Sequence, residues 1–116
     1  MDVILIRPAQ LEQELEMRQG RLLDIRSHEE YQKGHIKGAW NVPADQLEKY
    51  VRRQSRQKFL VLYCERGILS LRMGRKLAKE GFYIGALAGG WNGYREHERN
   101  HIDSLKRNLY DNNIWK

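Results

Sequence analysis

Short apolar runs recur along the chain, separated by longer stretches in which apolar residues are spaced three or four positions apart. A continuous apolar run of about four to eight residues is typical of a buried strand, and the wider spacing is typical of an amphipathic helix. The runs predict five strands, at residues 3–6, 22–25, 39–42, 59–63 and 83–87. The run at 59–63 is apolar throughout, which predicts a parallel strand covered on both faces.

Helical patterns fill the segments between the strands. Ser27, with Glu30 three residues later, matches a capping box and predicts the beginning of a brief helix. Gly74 lies inside an amphipathic segment, where glycine disfavours a helix, and close approach to a sheet would explain its presence. The predicted helices cover residues 8–18 with Gly20 as stop, a few residues from Ser27, 44–54, 68–80, and a last short helix from Trp91. Strands alternating with helices predict an α/β domain with a mostly parallel sheet.

Length and composition narrow the class of protein. The chain has 116 residues, which fits one domain. No apolar run approaches the roughly 20 residues that span a bilayer, and the first residues do not resemble a signal peptide, so we expect no membrane partner. Cys64 is the single cysteine, which excludes an intramolecular disulfide and fits a reducing compartment, most simply the cytoplasm.

Positive charge is concentrated around that cysteine. The formal net charge is +6, and residues 49–79 contain ten Lys or Arg residues with Glu65 as the single acid. Such a local field favours anionic partners and favours a thiolate over a thiol at Cys64. The basic residues over 49–58 have Tyr50 as their single aromatic neighbour, so we expect a solvated helix face and no nucleic-acid partner.

The position of Cys64 points to chemistry at the sulfur. It directly follows the most apolar strand, and ligands of parallel α/β sheets bind at the carboxyl ends of the strands. The free N–H groups of residues 65–70 can converge on the sulfur, and Gly67 permits a loop conformation that other residues resist. Such a cradle suits a nucleophile whose product is an anion. The alternative is a buried structural cysteine, since free cysteine is among the most buried residue types.

Three stretches of the sequence carry a family resemblance. The first is Leu22-Leu23-Asp24-Ile25-Arg26 followed by Glu29-Glu30-Tyr31, Gly34-His35-Ile36, Gly38-Ala39, Asn41 and Pro43; the second is the apolar strand with Cys64 and its loop; the third is Leu87-Ala88-Gly89-Gly90-Trp91 with Tyr94. In this order and spacing they resemble the single-domain rhodanese (thiosulfate sulfurtransferase-like) family over about residues 3–96.

The resemblance implies a fold and a function. The fold is a five-stranded, mostly parallel sheet with helices on both faces, in a rhodanese-like domain over residues 1–98, followed by a partly helical C-terminal extension over 99–116. The function is sulfur transfer: Cys64 takes a sulfane sulfur from a small anion such as thiosulfate or from a protein persulfide, and passes it to a thiol or to cyanide. We expect no cofactor and no metal.

The same resemblance implies which residues bind the substrate. They are the backbone N–H groups of the loop, namely Glu65, Arg66, Gly67, Ile68, Leu69 and Ser70, with the Arg66 side chain as the candidate for anion attraction. The family often has basic side chains directly after the cysteine and a polar residue or arginine five places beyond it, where this chain has Glu65 and Leu69. The alternative function is a non-catalytic rhodanese-like binding or regulatory module.

Other motifs favour less specific interpretations. A phosphatase loop of the Cys-x5-Arg type needs an arginine where this chain has Ser70, so the sequence does not favour a phosphatase. The sequence from His97 to His101 matches the H-E-x-x-H zinc pattern, but its charged flanks favour a solvent-exposed face and a chance match.

Two groups of residues remain open from the sequence. Asp24, Arg26, Glu30 and His35 either form a polar shell of the site or tie loops together by hydrogen bonds and ion pairs, and we favour the second interpretation. In the extension, Ile102, Leu105 and Leu109 have helical spacing and Trp115 lies near the end. This segment packs on the domain, forms a homodimer or docks a partner, and the sequence leaves these three alternatives open.

Overall fold

A five-stranded parallel sheet forms the centre of the molecule. The computed structural model describes residues 2–111, with side chains described through residue 109. The strands are β1 (Ile4–Ile6), β2 (Arg21–Asp24), β3 (Trp40–Asn41), β4 (Leu60–Tyr63) and β5 (Ile84–Leu87). They pair in the order β1-β5-β4-β2-β3, and every pairing is parallel. The predicted α/β class and five-stranded sheet are confirmed.

Helices connect successive strands. A 3-10 turn at Pro8–Gln10 leads into the first helix, and the helices are α1 (Leu11–Met17), α2 (His28–Lys33), α3 (Ala44–Arg52), α4 (Ile68–Lys79) and α5 (Gly90–Asp111). The predicted cap at Ser27 is present, since its Oγ accepts a hydrogen bond from the Glu30 N–H at 3.2 Å. The predicted contact of Gly74 with the sheet is present too: a Cβ at Gly74 would lie 3.1 Å from Val3 Cγ2 and 3.3 Å from Ile84 Cγ2.

The side chains of β4 divide the core into two layers. Leu60, Leu62 and then Cys64 face one layer, which also contains buried residues of α3 and α4. Val61 and Tyr63 face the other layer, which contains apolar residues of α1, α2 and α5. Because side chains alternate along a strand, the central strand is covered by helices on both sides, and Cys64 is aimed toward α4.

Two details of the helices differ from the prediction. The last helix is not short: α5 has 22 residues and continues through residue 98 without a break. Helix α1 ends before Gly20, as predicted, but the residue of the turn with a left-handed backbone is Gln19, with φ of 51°. Gly20 instead packs tightly, because a Cβ there would lie 2.9 Å from Phe59 Cδ2.

The predicted division of the chain into a domain over residues 1–98 and an extension over 99–116 stays a prediction. Ile102, Leu105 and Leu109 are about half exposed on α5 at 50%, 52% and 49%, and Trp115 lies outside the described residues.

Candidate active site

The end of β4 presents Cys64 at the carboxyl edge of the sheet. Tyr63, the last residue of β4, is buried, and its hydroxyl accepts a hydrogen bond from the Ile36 N–H at 3.1 Å. The carbonyl groups of Cys64 and Glu65 accept hydrogen bonds from the first turn of α5, from Trp91 N–H at 2.8 Å and Asn92 N–H at 3.0 Å. The backbone of residues 63–65 is therefore held by contacts with the first turn of α5 and with Ile36.

Three groups surround the sulfur at hydrogen-bonding distance. The Cys64 Sγ accepts from the Gly67 N–H at 3.2 Å and from the Ser70 N–H at 3.4 Å. The Ser70 hydroxyl lies 3.4 Å from the same sulfur and is buried. Because Gly67 caps α4 and Ser70 lies in its first turn, the sulfur lies at the positive end of the helix dipole.

The pKa of the Cys64 thiol is lowered from its ordinary value. Burial is the largest single effect and raises the pKa, but hydrogen bonds oppose it. The donors that lower the pKa are the Ser70 hydroxyl and the backbone N–H groups of Ser70, Gly67 and Arg66. Together these donors outweigh burial, so the site favours a thiolate, which is the reactive form of cysteine.

Glycine is required where the loop meets the start of α5. Gly67 has φ of 88°, in the left-handed region, and a Cβ there would lie 2.9 Å from the Gly89 N atom. The loop can therefore bring its N–H groups around the sulfur only if residue 67 adopts a left-handed backbone and has no side chain to meet Gly89.

A buried arginine connects the loop to the neighbouring strand. Arg26 Nη2 lies 2.8 Å from an Asp24 carboxylate oxygen and donates to the Gly34 carbonyl at 2.6 Å. Its Nη1 lies 3.2 Å from Glu65 Oε2. The guanidinium also lies 5.0 Å from the ring centroid of Trp91. Burial lowers and the Asp24 carboxylate raises the pKa of Arg26, with a net increase, so Arg26 remains a cation that Asp24 and Glu65 share.

A cleft of about 300 Å³ opens over the sulfur. Its lining includes Cys64, Glu65, Arg66, Ile68 and Leu69. The side chains of Ile68 and Leu69 are 64% and 41% exposed at its edge. The edge of the cleft is therefore largely apolar.

The structure brings part of the predicted set onto the sulfur. Among the loop residues, Gly67 and Ser70 donate to Cys64 Sγ, and the Arg66 N–H also lowers the pKa of the thiol. The side chains of Ile68 and Leu69 face outward. The Glu65 side chain binds Arg26, and Arg66 lies exposed along the cleft.

Two features of the site were not predicted. The Ser70 hydroxyl contact depends on how the first turn of α4 begins, which the residue pattern does not specify. The Arg26–Glu65 pair joins residues 39 positions apart, and the charge pattern of the loop, with one acid among many bases, was the available signal.

The remaining sequence candidates contact other groups. Asp24 and Arg26 bind each other, and His35 Nδ1 lies 2.8 Å from the Tyr31 carbonyl oxygen, which agrees with the interpretation that these residues tie loops together. Arg26 also lines the cleft over Cys64 and binds Glu65, so this residue fits both alternatives. His97 and His101 stack on α5 with ring centroids 6.5 Å apart. Within residues 2–111, no group of three or more His, Cys, Asp or Glu side chains is arranged to hold a metal ion.

The fold and the site together define a class. They are a parallel α/β domain with a buried cysteine at the end of its central strand, held by N–H donors of the following loop and helix. The sequence matches the family described as Rhodanese-like domain over residues 7–97, and the chain belongs to that family.

Individual relatives agree with this assignment. The thiosulfate sulfurtransferase GlpE of Shewanella oneidensis is 31% identical over 88 residues, covering 75% of this chain and 87% of the relative. The uncharacterized protein YqhL of Bacillus subtilis is 36% identical over 64 residues, covering 55% of this chain and 51% of YqhL, so the chain spans about half of that relative. The human single-domain sulfurtransferase TSTD1 has the same fold, with a TM-score of 0.67, 24% identity and coverage of 79% of this chain and 95% of TSTD1.

None of the helices in the described part of the chain is long and apolar enough to cross a membrane.

Proposed function

We propose that the protein is a sulfurtransferase that carries sulfane sulfur as a persulfide on Cys64. The observation that carries this proposal is the convergence of the Gly67 and Ser70 N–H groups and the Ser70 hydroxyl on Cys64 Sγ, at 3.2–3.4 Å. Named sulfurtransferases among the relatives support the same chemistry. A single cysteine that must stay reduced suits the cytoplasm.

The first half-reaction loads the sulfur. The Cys64 thiolate attacks the outer sulfur of the donor, and a new S–S bond forms while the bond between that sulfur and the donor breaks. With thiosulfate the leaving group is sulfite, which takes the electron pair. With a protein persulfide the leaving group is the donor cysteine thiolate. The product is an anionic persulfide, whose charge the loop N–H groups can stabilise in the same way as that of the thiolate.

The second half-reaction returns the thiolate. An acceptor thiolate or cyanide attacks the outer sulfur of the persulfide, the Cys64 S–S bond breaks, and Cys64 leaves as a thiolate. The products are a persulfide of the acceptor or thiocyanate. No net oxidation occurs in either step, so neither a cofactor nor an external reductant is needed.

Intact-mass spectrometry tests the proposal directly. The reduced protein is incubated with thiosulfate and, separately, with a protein persulfide, and Cys64→Ser serves as control. We expect a mass gain of one sulfur atom in the wild type alone, and loss of that mass on addition of cyanide. If neither donor loads the wild type, the sulfurtransferase proposal is wrong, and the non-catalytic binding module takes its place.

A further inference from the structure

Helix α4 carries a row of basic side chains that the chemistry at Cys64 does not use. They lie at helical spacing on one exposed face, while Gly74 and Leu77 of the same helix are buried against the sheet. This face forms one side of a groove of about 710 Å³, here called the basic groove. Its lining includes Arg66, Ile68, Leu71, Arg72, Arg75 and Lys79.

The positive charge of the basic groove is largely uncompensated. Among the side chains that the structure describes, Arg66, Arg72, Arg75 and Lys79 take part in no ion pair. The acidic residue of the lining, Glu80, is bound to Arg52 at 3.0 Å. Close, unpaired cations repel one another and create a positive potential, which an acidic partner would relieve.

The basic groove leads directly to the sulfur. Arg66 and Ile68 line both the basic groove and the smaller cleft over Cys64. At that end aliphatic side chains lie beside Arg66, because Ile68 is 64% exposed and Leu71 is also in the lining. An elongated ligand seated along α4 can therefore place one end at Cys64.

The dimensions favour an extended ligand over a small anion. The 12 residues of α4 span about 18 Å, at 1.5 Å per residue. Lys79 lies 11 residues beyond Ile68, or about 16 Å along the helix axis, whereas the Debye length at physiological salt is about 8 Å. A charge at Lys79 is therefore screened from a small anion at Cys64, but it can contact a ligand that fills the groove.

The lining favours a protein ligand over a nucleic acid. Single-stranded nucleic acids stack their bases on aromatic side chains, and none of the side chains in the described lining of the groove is aromatic. Aliphatic residues at the sulfur end instead suit the mixed apolar and acidic surface of a protein segment.

We propose that the basic groove binds an acidic segment of the protein that exchanges sulfur with Cys64. The proposal rests on the sulfurtransferase function proposed above. Acidic side chains of the partner pair with Arg72, Arg75 and Lys79, and its reactive cysteine then lies at the Cys64 end. Charge pairing of this kind raises the rate of encounter and selects the partner.

Binding of two matched peptides to the Cys64→Ser protein tests the groove without any sulfur chemistry. Both labelled peptides form helices about as long as α4. One carries glutamates on one face, and the other carries glutamines at the same positions. Fluorescence anisotropy at physiological salt should show about tenfold tighter binding of the glutamate peptide. The double variant Arg75→Glu/Lys79→Glu should abolish this preference.

A second double variant provides the charge-matched control. Arg99→Glu/Lys106→Glu changes the net charge equally at exposed positions of α5, which lie outside the basic groove, and should keep the preference. Equal binding of both peptides, or equal loss in both double variants, would overturn the proposal. A labelled single-stranded oligonucleotide that binds more tightly than the glutamate peptide, and is released by Arg75→Glu/Lys79→Glu, would assign the groove to nucleic acid instead.

Kinetics separate the groove from the chemistry. Cysteine-containing versions of the peptides accept sulfur from the persulfide-loaded protein, and Arg75→Glu/Lys79→Glu should slow transfer to the glutamate peptide about tenfold. Transfer to cyanide should be unchanged, because Arg75 and Lys79 lie about 10 Å and 16 Å beyond Ile68 along the helix axis, farther than the Debye length of about 8 Å. Sulfur loading without charge-dependent binding contradicts the groove proposal alone, whereas charge-dependent binding without sulfur loading contradicts the sulfurtransferase proposal.

Discussion

At the scale of single residues, Cys64 combines burial with ready ionisation. Burial alone would hold the thiol neutral, because a charged group is disfavoured away from water. The hydrogen bonds from Gly67 and Ser70 reverse that preference. Ser70 contributes twice, through its N–H and its hydroxyl, so its side chain can be removed while the backbone donor remains.

Ser70→Ala should raise the pKa of Cys64. The variant removes the hydroxyl, which is the strongest of the effects that lower the pKa, while burial continues to raise it. We expect iodoacetamide alkylation of the wild type to begin below the pH at which free thiols react, and alkylation of Ser70→Ala to shift to higher pH. Ser104→Ala, at an exposed position of α5, is the control and should alkylate like the wild type. Identical profiles for Ser70→Ala and the wild type would show that the hydroxyl does not stabilise the thiolate.

The lowered pKa also predicts how stability depends on pH. The folded state ionises Cys64 more readily than the unfolded chain does, so the unfolded chain binds more protons between the two pKa values. The contribution of Cys64 ionisation to the free energy of unfolding is complete above the pKa of a free thiol. It is lost as the pH falls through the lower pKa of the folded state.

At the scale of elements, the loop between β4 and α4 depends on a close contact with the start of α5. Gly67 meets Gly89 where side chains would collide. Gly38 provides a comparison within the same chain, because its φ of 86° is nearly that of Gly67 but nothing lies within 4 Å of a Cβ placed there.

Gly67→Ala should be more damaging than Gly38→Ala. We expect Gly38→Ala to cost about 1 kcal/mol in free energy of unfolding, from the left-handed backbone alone. Overlap with the backbone of Gly89 should add roughly 1–3 kcal/mol for Gly67→Ala. Urea unfolding measures both costs, and alkylation should show a raised pKa of Cys64 in Gly67→Ala, since the Gly67 N–H is displaced. Equal costs for the two variants would mean that the loop and α5 move apart freely.

At the scale of the whole molecule, Arg26 joins segments that are distant in the sequence. It contacts Asp24 at the end of β2, the Gly34 carbonyl after α2, Glu65 in the cysteine loop and the Trp91 ring on α5. Asp24 and Arg26 are both buried. A buried ion pair of this kind is costly to break from one side, because the partner is left as an unpaired charge.

Arg26→Met should destabilise the protein strongly. We expect a loss of about 3–5 kcal/mol in the free energy of unfolding, since Asp24 loses its buried partner. Glu65→Gln removes the other, half-exposed partner of Arg26 and should cost only about 0–1 kcal/mol. The double variant Asp24→Asn/Arg26→Met should lose less stability than Arg26→Met alone, because no buried charge is left unpaired. Similar losses for Arg26→Met and Glu65→Gln, measured by urea unfolding, would contradict a structural role for the buried pair.

The strand and helix pattern was largely predictable from the sequence. The apolar runs that become β4 and β5 and the helix with Gly74 against the sheet follow from local periodicity, because burial of one face or of both faces imposes the spacing of apolar residues. Cys64 as candidate nucleophile follows from its place after β4, since the carboxyl ends of parallel strands form the binding edge.

The length of α5 was not predictable from that pattern. After residue 95 its exposed face carries mostly polar and charged residues, and an apolar face packed on the core is the signal on which helix prediction relies. Ile102, Leu105 and Leu109 have helical spacing, but this spacing alone does not show that the helix from Trp91 continues to them.

By itself, the sequence determined the α/β class, the order of the elements and the cysteine at the end of the central strand, because each follows from spacing along the chain. Tertiary structure alone decided which groups contact the sulfur, the pairing of Glu65 with Arg26, and the continuity of the basic groove with the Cys64 cleft. These contacts join residues from separate elements through hydrogen bonds and packing that are sensitive to distances of a few tenths of an ångström. Residue types and spacing specify which groups are present, and only the folded chain specifies which of them meet.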